Sequence, residues 1–198
     1  MNYGDIHNKY NIVPITIKFS EEIVYTGGDM VQHGYNCVYD QYFEPYRNQP
    51  IKLAEIGILA GHKLFCHDKF FSNVRLYGYD INLDYIYKYQ SKEFIDKLTL
   101  TKIDSRNKSD TIKITETFDI IIDDATHSPN TVIKTFENFY PKLHQHGLYI
   151  IEDVGQNRRY EPIKKFLDKK YIKHKLIRPE KSASNTGLVI IQNDNNVI

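Results

Sequence analysis

The run FDIIIDDATHSP, Phe118 to Pro129, decides how this chain folds. Ile120, Ile121 and Ile122 make an unbroken apolar stretch, as expected of a strand covered on both faces. Asp123 and Asp124 close that strand, and His127 follows one turn later. Ser128 and Pro129 then open a helix, serine as a favoured N-cap and proline as a favoured first helical residue. Strand, acids and helix together are the start of a βα unit. The acids have two readings. They cap the helix, or they belong to a metal-and-base centre. Ser128 and Pro129 already fill the capping role, which favours the second reading.

The same rhythm extends in both directions. IKLAEIG (Ile51–Gly57) reads as a buried strand closed by glycine, and KLFCHDKFF sets Leu64, Phe65 and Phe71 on one helical face. VRLYGYD (Val74–Asp80) is the next strand, followed by a polar helix over Leu83–Lys97. LTLTKID (Leu98–Asp104) is the third strand and FDIIIDD the fourth, with a helix in SPNTVIKTFENFY. GLYIIED (Gly147–Asp153) is the fifth. A helix over Pro162–Lys170 precedes strands at Ile172–Ile177 and Gly187–Gln192, which have no helix between them and should form an antiparallel hairpin. Alternating strands and helices predict a mainly parallel α/β sheet with helices on both faces. Residues 1–50 differ. They are polar and Tyr-rich, with Gly27-Gly28 as a turn and a short helix over Tyr35–Tyr46 carrying Val38, Tyr42 and Phe43.

Composition narrows the class. The 198 residues suffice for one sizeable domain, so 1–50 are read as an N-terminal lid segment and 51–198 as the core. A formal net charge of +1 gives no global field for nucleic acid or a membrane surface. No apolar run approaches the ~18 residues of a membrane span, and MNYGDIHNKY lacks a signal-peptide profile. Two cysteines, Cys37 and Cys66, make no disulfide framework, and a cytoplasmic setting is the simpler expectation.

In open α/β sheets ligands lie beyond the carboxyl ends of the strands. The first strand ends Glu55-Ile-Gly57-Ile-Leu-Ala-Gly61. A nicotinamide fingerprint requires G-x-G-x-x-G, and Leu59 stands where its second glycine belongs. E-x-G-x-x-x-G instead resembles the looser motif of class I S-adenosylmethionine-dependent methyltransferases. In that frame Asp80 accepts from the ribose hydroxyls, Asp104 and Ser105 lie by the adenine amino group, and Glu55 lies near the amino-acid end. Alone, E-x-G-x-x-x-G reads equally as a tight turn, and Asp80 and Asp104 as ordinary N-caps. Their placement at successive strand ends favours a cofactor site.

Methyl transfer to an aliphatic hydroxyl needs help, because that hydroxyl is almost never ionised at neutral pH. A divalent cation can lower its pKa, and a positioned base can remove its proton. Asp124 ends one strand and Glu152-Asp153 the next, so their carboxylates can share one cation of the Mg²⁺ type. His127 suits the base, with an ordinary pKa near 6.5.

EIGILAGHKL, LYGYDIN, FDIIIDDATH and GLYIIEDV resemble, in order and spacing, the metal-dependent O-methyltransferases that act on macrolide sugars and their glycan-modifying relatives. GGDMVQHGYNCVYDQYFEPYR resembles the segment that precedes the core in that family, and the likeness spans about residues 27–155. It implies a Rossmann-like class I methyltransferase sandwich with a seven-stranded sheet, S-adenosylmethionine as donor and Mg²⁺ as cofactor. It matches Asp124 and Asp153 to the metal acids and His127 to the base. Glu55, Gly57, Gly61 and Asp80 match the cofactor site. Asp123 and Glu152 stand beside the metal acids, and we group Asp123 with the cofactor residues and Glu152 with the metal. The entry segment should fold over the cofactor edge, which makes His33, Tyr35 and Tyr39 the best candidates for substrate contact, with His33 also counted among the cofactor residues. There are departures. Met30 replaces a usual Lys, His62-Lys63 replace a small Gly-Ser, and D-D-G-S-H becomes D-D-A-T-H. The chain is also shorter than the macrolide enzymes.

The expectation is therefore a sugar O-methyltransferase acting on a deoxyhexose such as rhamnose, with a small-molecule or glycan acceptor; such enzymes are often homo-oligomers such as dimers, and the sequence does not set the number of subunits. A metal-dependent methyltransferase of catechols or other phenols is the nearest rival. A non-catalytic interaction module on the same fold is the alternative of another kind. A nucleic-acid substrate is disfavoured by the charge balance, although QNRRYEPIKK (Gln156–Lys165) is locally basic.

Overall fold

The computed structural model describes residues 1–12, 15–19, 22–26, 29–155, 157–180 and 186–194, with backbone alone at 15–19, 22–26, 29 and 157. The expected Gly27-Gly28 turn lies outside the described residues. In chain order the elements are α1 (Tyr3–Lys9), β1 (Ile15–Phe19), β2 (Glu22–Thr26), α2 (Asp29–Gln32) and α3 (Tyr35–Phe43). Then follow β3 (Ile51–Ile56), α4 (His62–Phe70), β4 (Val74–Asp80), α5 (Asp84–Tyr89), α6 (Lys92–Ile95) and β5 (Leu98–Lys102). The last group is α7 (Lys108–Thr111), β6 (Phe118–Asp123), α8 (Pro129–Phe139), β7 (Leu143–Val154), α9 (Asn157–Lys169), β8 (Lys175–Ile177) and β9 (Gly187–Gln192).

Seven strands form one sheet in the order β5-β4-β3-β6-β7-β9-β8, and β1 with β2 forms a separate antiparallel pair. Pairings from β5 through β7 are parallel, whereas β9 runs antiparallel to both β7 and β8. This is the expected mainly parallel sheet with its C-terminal hairpin. The chain order reverses between β3 and β6, so a crevice opens beyond their carboxyl ends, the usual ligand position.

Burial follows the two-residue period of each strand. On β6, Ile120 and Ile122 join one apolar cluster with Leu53, Ile150, Leu64 and Phe43, while Ile121 joins the other with Tyr149, Phe136 and Leu167. A strand clothed by helices on both faces has to read as a continuous apolar run. Burying each isoleucine contributes roughly 1.5–3 kcal/mol. Helix α8 meets the sheet through Val132, Phe136 and Phe139, spaced as one helical stripe.

Several elements differ from expectation. Strand β8 begins at Lys175 rather than Ile172, and β5 ends at Lys102 rather than Asp104. The single helix over Leu83–Lys97 is two, α5 and α6, because Ser91 adopts extended backbone and caps the second by accepting from Phe94 N at 3.3 Å. Helix α9 begins at Asn157 rather than Pro162. Proline lies inside its second turn, where one carbonyl forgoes a donor. Strand β7 starts at Leu143, four residues early, pairing with Phe118 across a register shift. The last helix of the N-terminal segment stops at Phe43 and continues as a single 3₁₀ turn, Glu44–Tyr46. Helix α1 is additional. A reciprocal cap secures it, with Asn2 accepting from Asp5 N at 2.7 Å. Tyr3 and Ile6 are fully buried, and Tyr3 N donates to Asp40 Oδ1 at 2.8 Å, which ties α1 to α3.

Candidate active site

A cavity of about 420 Å³ opens at the reversal point, lined by Glu55, Gly57, Asp80, Asp124, His127 and Asp153 among others. The sheet register brings them together. Glu55 pairs with Ile122 and Ile56 with Asp123, and Asp123 pairs in turn with Ile151, so Glu55, Asp124 and Glu152 emerge side by side.

The turn after β3 is built for close approach. Gly57 has φ +83°, and a Cβ there would come within 2.4 Å of Asp124 O and 2.5 Å of Ala125 Cα. Leu59, at φ +44°, is held in the left-handed region by its N–H, which donates to Asp80 Oδ2 at 2.9 Å. Asp80 Oδ1 accepts from Asn82 N at the same distance. Gly61 (φ +74°) caps α4, and a Cβ on it would strike Ile86 Cδ1 at 2.6 Å, so its role is packing against α5.

At the far end, Asp104 and Ser105 line the cavity. The Asp104 carboxylate accepts from Arg106 Nε at 2.8 Å and Nη2 at 2.7 Å, bonds that hold its pKa below the usual range. Ser105 Oγ pairs with Thr135 Oγ1 at 2.9 Å.

At the near end the acids crowd. Burial pushes the Glu55 carboxyl up to about 8. Glu152 rises to about 7, through burial first and then the Asp124 charge. Lys63, from the first turn of α4, reaches into this group and donates to Asp124 Oδ2 and, at 2.8 Å, to Glu152 Oε1. Burial opposes its charge, yet Asp124, Glu152 and Glu55 together hold its pKa well above normal. Tyr39 donates to Glu152 Oε1, and Tyr35 donates to Asp153 Oδ1 at 2.8 Å. Asp153 sits at φ +51°, where β7 departs from regular pairing with β9 between Ile151 and Val154. A non-glycine residue there costs about 1–3 kcal/mol, and such strain collects at functional positions.

Asp124, His127 and Asp153 each offer a ligand atom, and these atoms lie within 4.8 Å of one another. His127 Nε2 is 3.7 Å from Asp153 Oδ2. Burial lowers the His127 pKa, while Asp153 pulls it upward.

The structure thus gathers Glu55, Gly57, Asp80, Asp104, Ser105, Asp124, His127, Glu152 and Asp153 around one cavity. Asp123, Gly61 and His33 are not among its lining residues. Asp123 is buried and accepts from Ala125 N at 3.3 Å, and burial pushes its carboxyl up to about 8. His33 packs against the Tyr35 ring, 5.3 Å between centroids. Tyr35 and Tyr39, expected over the cofactor edge, are buried and hold the acids of β7. Lys63 is the site residue whose contacts sequence reasoning missed. Its signal is a lysine eight residues beyond the acid of the first strand, one residue into the following helix. Ser128 caps α8 by position alone. Its Oγ bonds Thr131 Oγ1 at 2.7 Å instead of a backbone N–H.

No protein-family model matches the chain. It is 31% identical over 134 residues to mycinamicin VI 2''-O-methyltransferase of Micromonospora griseorubida, covering 62% of this chain and 32% of that protein. Over 130 residues it is 28% identical to 8-demethyl-8-alpha-L-rhamnosyl tetracenomycin-C 2'-O-methyltransferase of Streptomyces olivaceus, covering 62% and 33%. The matches span about a third of the length of these curated relatives. Among solved structures, the MycE methyltransferase of the mycinamycin pathway, in complex with Mg and SAH, superposes with a TM-score of 0.68 at 23% identity, over 100% of this chain and 57% of that one. An rRNA methylase from Streptococcus thermophilus gives 0.62 at 12% identity, over 84% and 99%. The fold is the Rossmann-like methyltransferase fold.

Proposed function

We infer that this chain, whose curated relatives are sugar O-methyltransferases, transfers a methyl group from S-adenosylmethionine to a sugar hydroxyl with the aid of a divalent cation. The observation that carries the reading is the meeting of Asp124, His127 and Asp153 at the rim of a cavity that continues to Asp80 and Asp104.

The residues fit the donor. A cavity of about 420 Å³ lies within the usual range for ligand pockets. Asp80 offers a half-buried carboxylate to the ribose hydroxyls, and Ile58, Tyr79 and Ile103 give the cavity apolar walls. Asp104, already gripped by Arg106, stands at the adenine end. The residues also fit a cation. Asp124 and Asp153 supply hard carboxylate oxygens, and carboxyls held up by burial and mutual repulsion, as at Glu152, are relieved by positive charge. Asp124 and Asp153 would hold the ion. A bound divalent cation lowers the pKa of a hydroxyl that it contacts.

His127 does the proton work. Its lowered pKa keeps the ring neutral and able to accept near neutrality. Nε2 takes the hydroxyl proton, and Asp153 Oδ2, 3.7 Å away, is the carboxylate beside the imidazolium so formed. Tyr35 and Tyr39 orient Asp153 and Glu152. The near-neutral charge balance suits a small or glycan acceptor better than a polyanion. Among the described residues no helix is long and apolar enough to cross a membrane.

The test is methyl transfer from labelled S-adenosylmethionine to a panel of rhamnosides, other glycosides and catechols, with Mg²⁺ and with EDTA. Label on a glycoside, lost in EDTA, is expected. Label on catechols alone would replace the sugar reading with the phenol one, and S-adenosylmethionine that fails to bind would reduce the chain to a non-catalytic module.

A further inference from the structure

The Lys63 ammonium is surrounded by carboxylates from three successive strand ends. It donates to Asp124 Oδ2, lies 2.8 Å from Glu152 Oε1 and 3.5 Å from Glu55 Oε1, and its side chain is 15% exposed. Glu55 and Glu152 are 1% and 4% exposed, so neither can turn to water for compensation. Tyr39 also donates to Glu152 Oε1, so that oxygen already has two donors. Helix α4, which carries Lys63, is anchored by Leu64 and Phe70, both buried, so the lysine is fixed at its root. Three inward carboxylates around one positive centre is an arrangement that elsewhere takes a metal ion.

We propose that Lys63 is a tethered cation that fills the inner end of the acid cluster and excludes a divalent ion from Glu55 and Glu152. The inference rests on the divalent-ion reading above and confines that ion to the outer pair, Asp124 and Asp153, beside His127. The exclusion is steric as well as electrostatic. A small divalent ion sits about 2.0–2.6 Å from its oxygen ligands. An ion bound to Glu152 Oε1 would crowd an ammonium already 2.8 Å from the same atom, and the two positive charges would repel. The same argument closes Asp124 Oδ2, which this ammonium also contacts, so the outer ion would meet Asp124 through Oδ1. Removing the ammonium leaves the buried acids uncompensated, so they take up either protons or a second cation, and excess metal ion competes with those protons. Lys63 thereby lets the acid cluster assemble in the absence of metal.

The test counts Mn²⁺ ions bound per chain, by the paramagnetic signal of free Mn²⁺, in the wild type, Lys63→Met and Lys63→Arg, with melting curves in EDTA and in Mn²⁺. Lys63→Met should bind one ion more than the wild type and gain more melting temperature from Mn²⁺. Lys63→Arg, which keeps the charge, should gain none. A wild type that binds no ion while Lys63→Met binds one would remove the outer ion of the preceding reading and keep Lys63 as the tether. A Lys63→Met variant that folds only with Mn²⁺ supports the proposal. One that gains no ion, or stays unfolded with Mn²⁺ present, overturns it, as does an extra ion in Lys63→Arg.

Discussion

The Tyr35 hydroxyl donates to Asp153 Oδ1 at 2.8 Å, across 118 residues of sequence, and so joins α3 to the end of β7. Four residues later on the same helix face, Tyr39 does the same for Glu152. An N-terminal helix thus orients two carboxylates that the sheet alone would leave to repel each other. Tyr35→Phe removes one donor from a strained, half-buried Asp153. This bond is made with or without the ion, so its loss acts on affinity through the orientation of Asp153, and Mn²⁺ affinity should fall by up to about tenfold, less than the roughly 1.5–3 kcal/mol of the bond itself. Calorimetry on the folded variant checks this, and an unchanged affinity would mean that Tyr35 does not orient Asp153 for the ion.

Gly57→Ala should damage the site from the backbone outward. The added methyl would sit 2.4 Å from Asp124 O, and the residue needs φ +83°. The Asp124–Ala125 segment then has to move away from β3. We expect a lower melting temperature together with loss of binding of both S-adenosylhomocysteine and Mn²⁺. A variant of normal stability that binds both would show that the close approach is dispensable.

Asp80→Asn keeps the shape and one acceptor oxygen. Leu59 N and Asn82 N each lean on a different oxygen of the native carboxylate, so one loop amide loses its partner along with the ribose. S-adenosylhomocysteine affinity should drop by about tenfold to a hundredfold, corresponding to roughly 1.5–3 kcal/mol for hydrogen bonds to a charged group. Calorimetric titration at constant pH gives the number directly, and Mn²⁺ binding in the same variant should be unaffected.

His67 makes acid stability a readable quantity. It is fully buried, its Nδ1 lies 2.6 Å from the Tyr3 hydroxyl, and burial lowers its pKa to about 3. In the unfolded chain a histidine takes up a proton near pH 6.5. Below that pH the unfolded state therefore binds more protons, and folding stability falls toward pH 3 by up to about 1.4 kcal/mol per unit. Above 6.5 the residue contributes no pH slope. Glu55 acts in the opposite sense, since its carboxyl, raised to about 8, makes stability fall as pH rises from the ordinary glutamate range. His67→Phe keeps a ring in the cluster with Tyr3, Phe43 and Phe71. Denaturation between pH 4 and 7 should show a shallower acid limb in this variant than in the wild type, and equal slopes would contradict the assignment.

Much of the sheet is legible in one dimension. Val74–Asp80 and Gly187–Gln192 are found with the expected bounds, because an apolar run closed by an acid or a turn is a local property. The site acids follow from the same logic, since parallel strands end on one edge. Lys63 is not legible in this way. A long side chain chooses its partners only once α4 has docked, and its sequence position shows a helix start and nothing of the carboxylates above it. Tyr35 and Tyr39 share a helical face by spacing, yet whether that face meets substrate or acids depends on how α3 lies on the sheet. The break at Ser91 is a side-chain cap competing with a continuous helix, a contest that periodicity does not decide.

The most direct measurement is a crystal structure with S-adenosylhomocysteine and Mn²⁺, with anomalous diffraction recorded to locate the metal. The account predicts one anomalous peak within ligand distance of Asp124 and Asp153, next to a nucleoside whose ribose meets Asp80. A peak elsewhere, or Asp124 and Asp153 turned apart with the nucleoside bound, would contradict it.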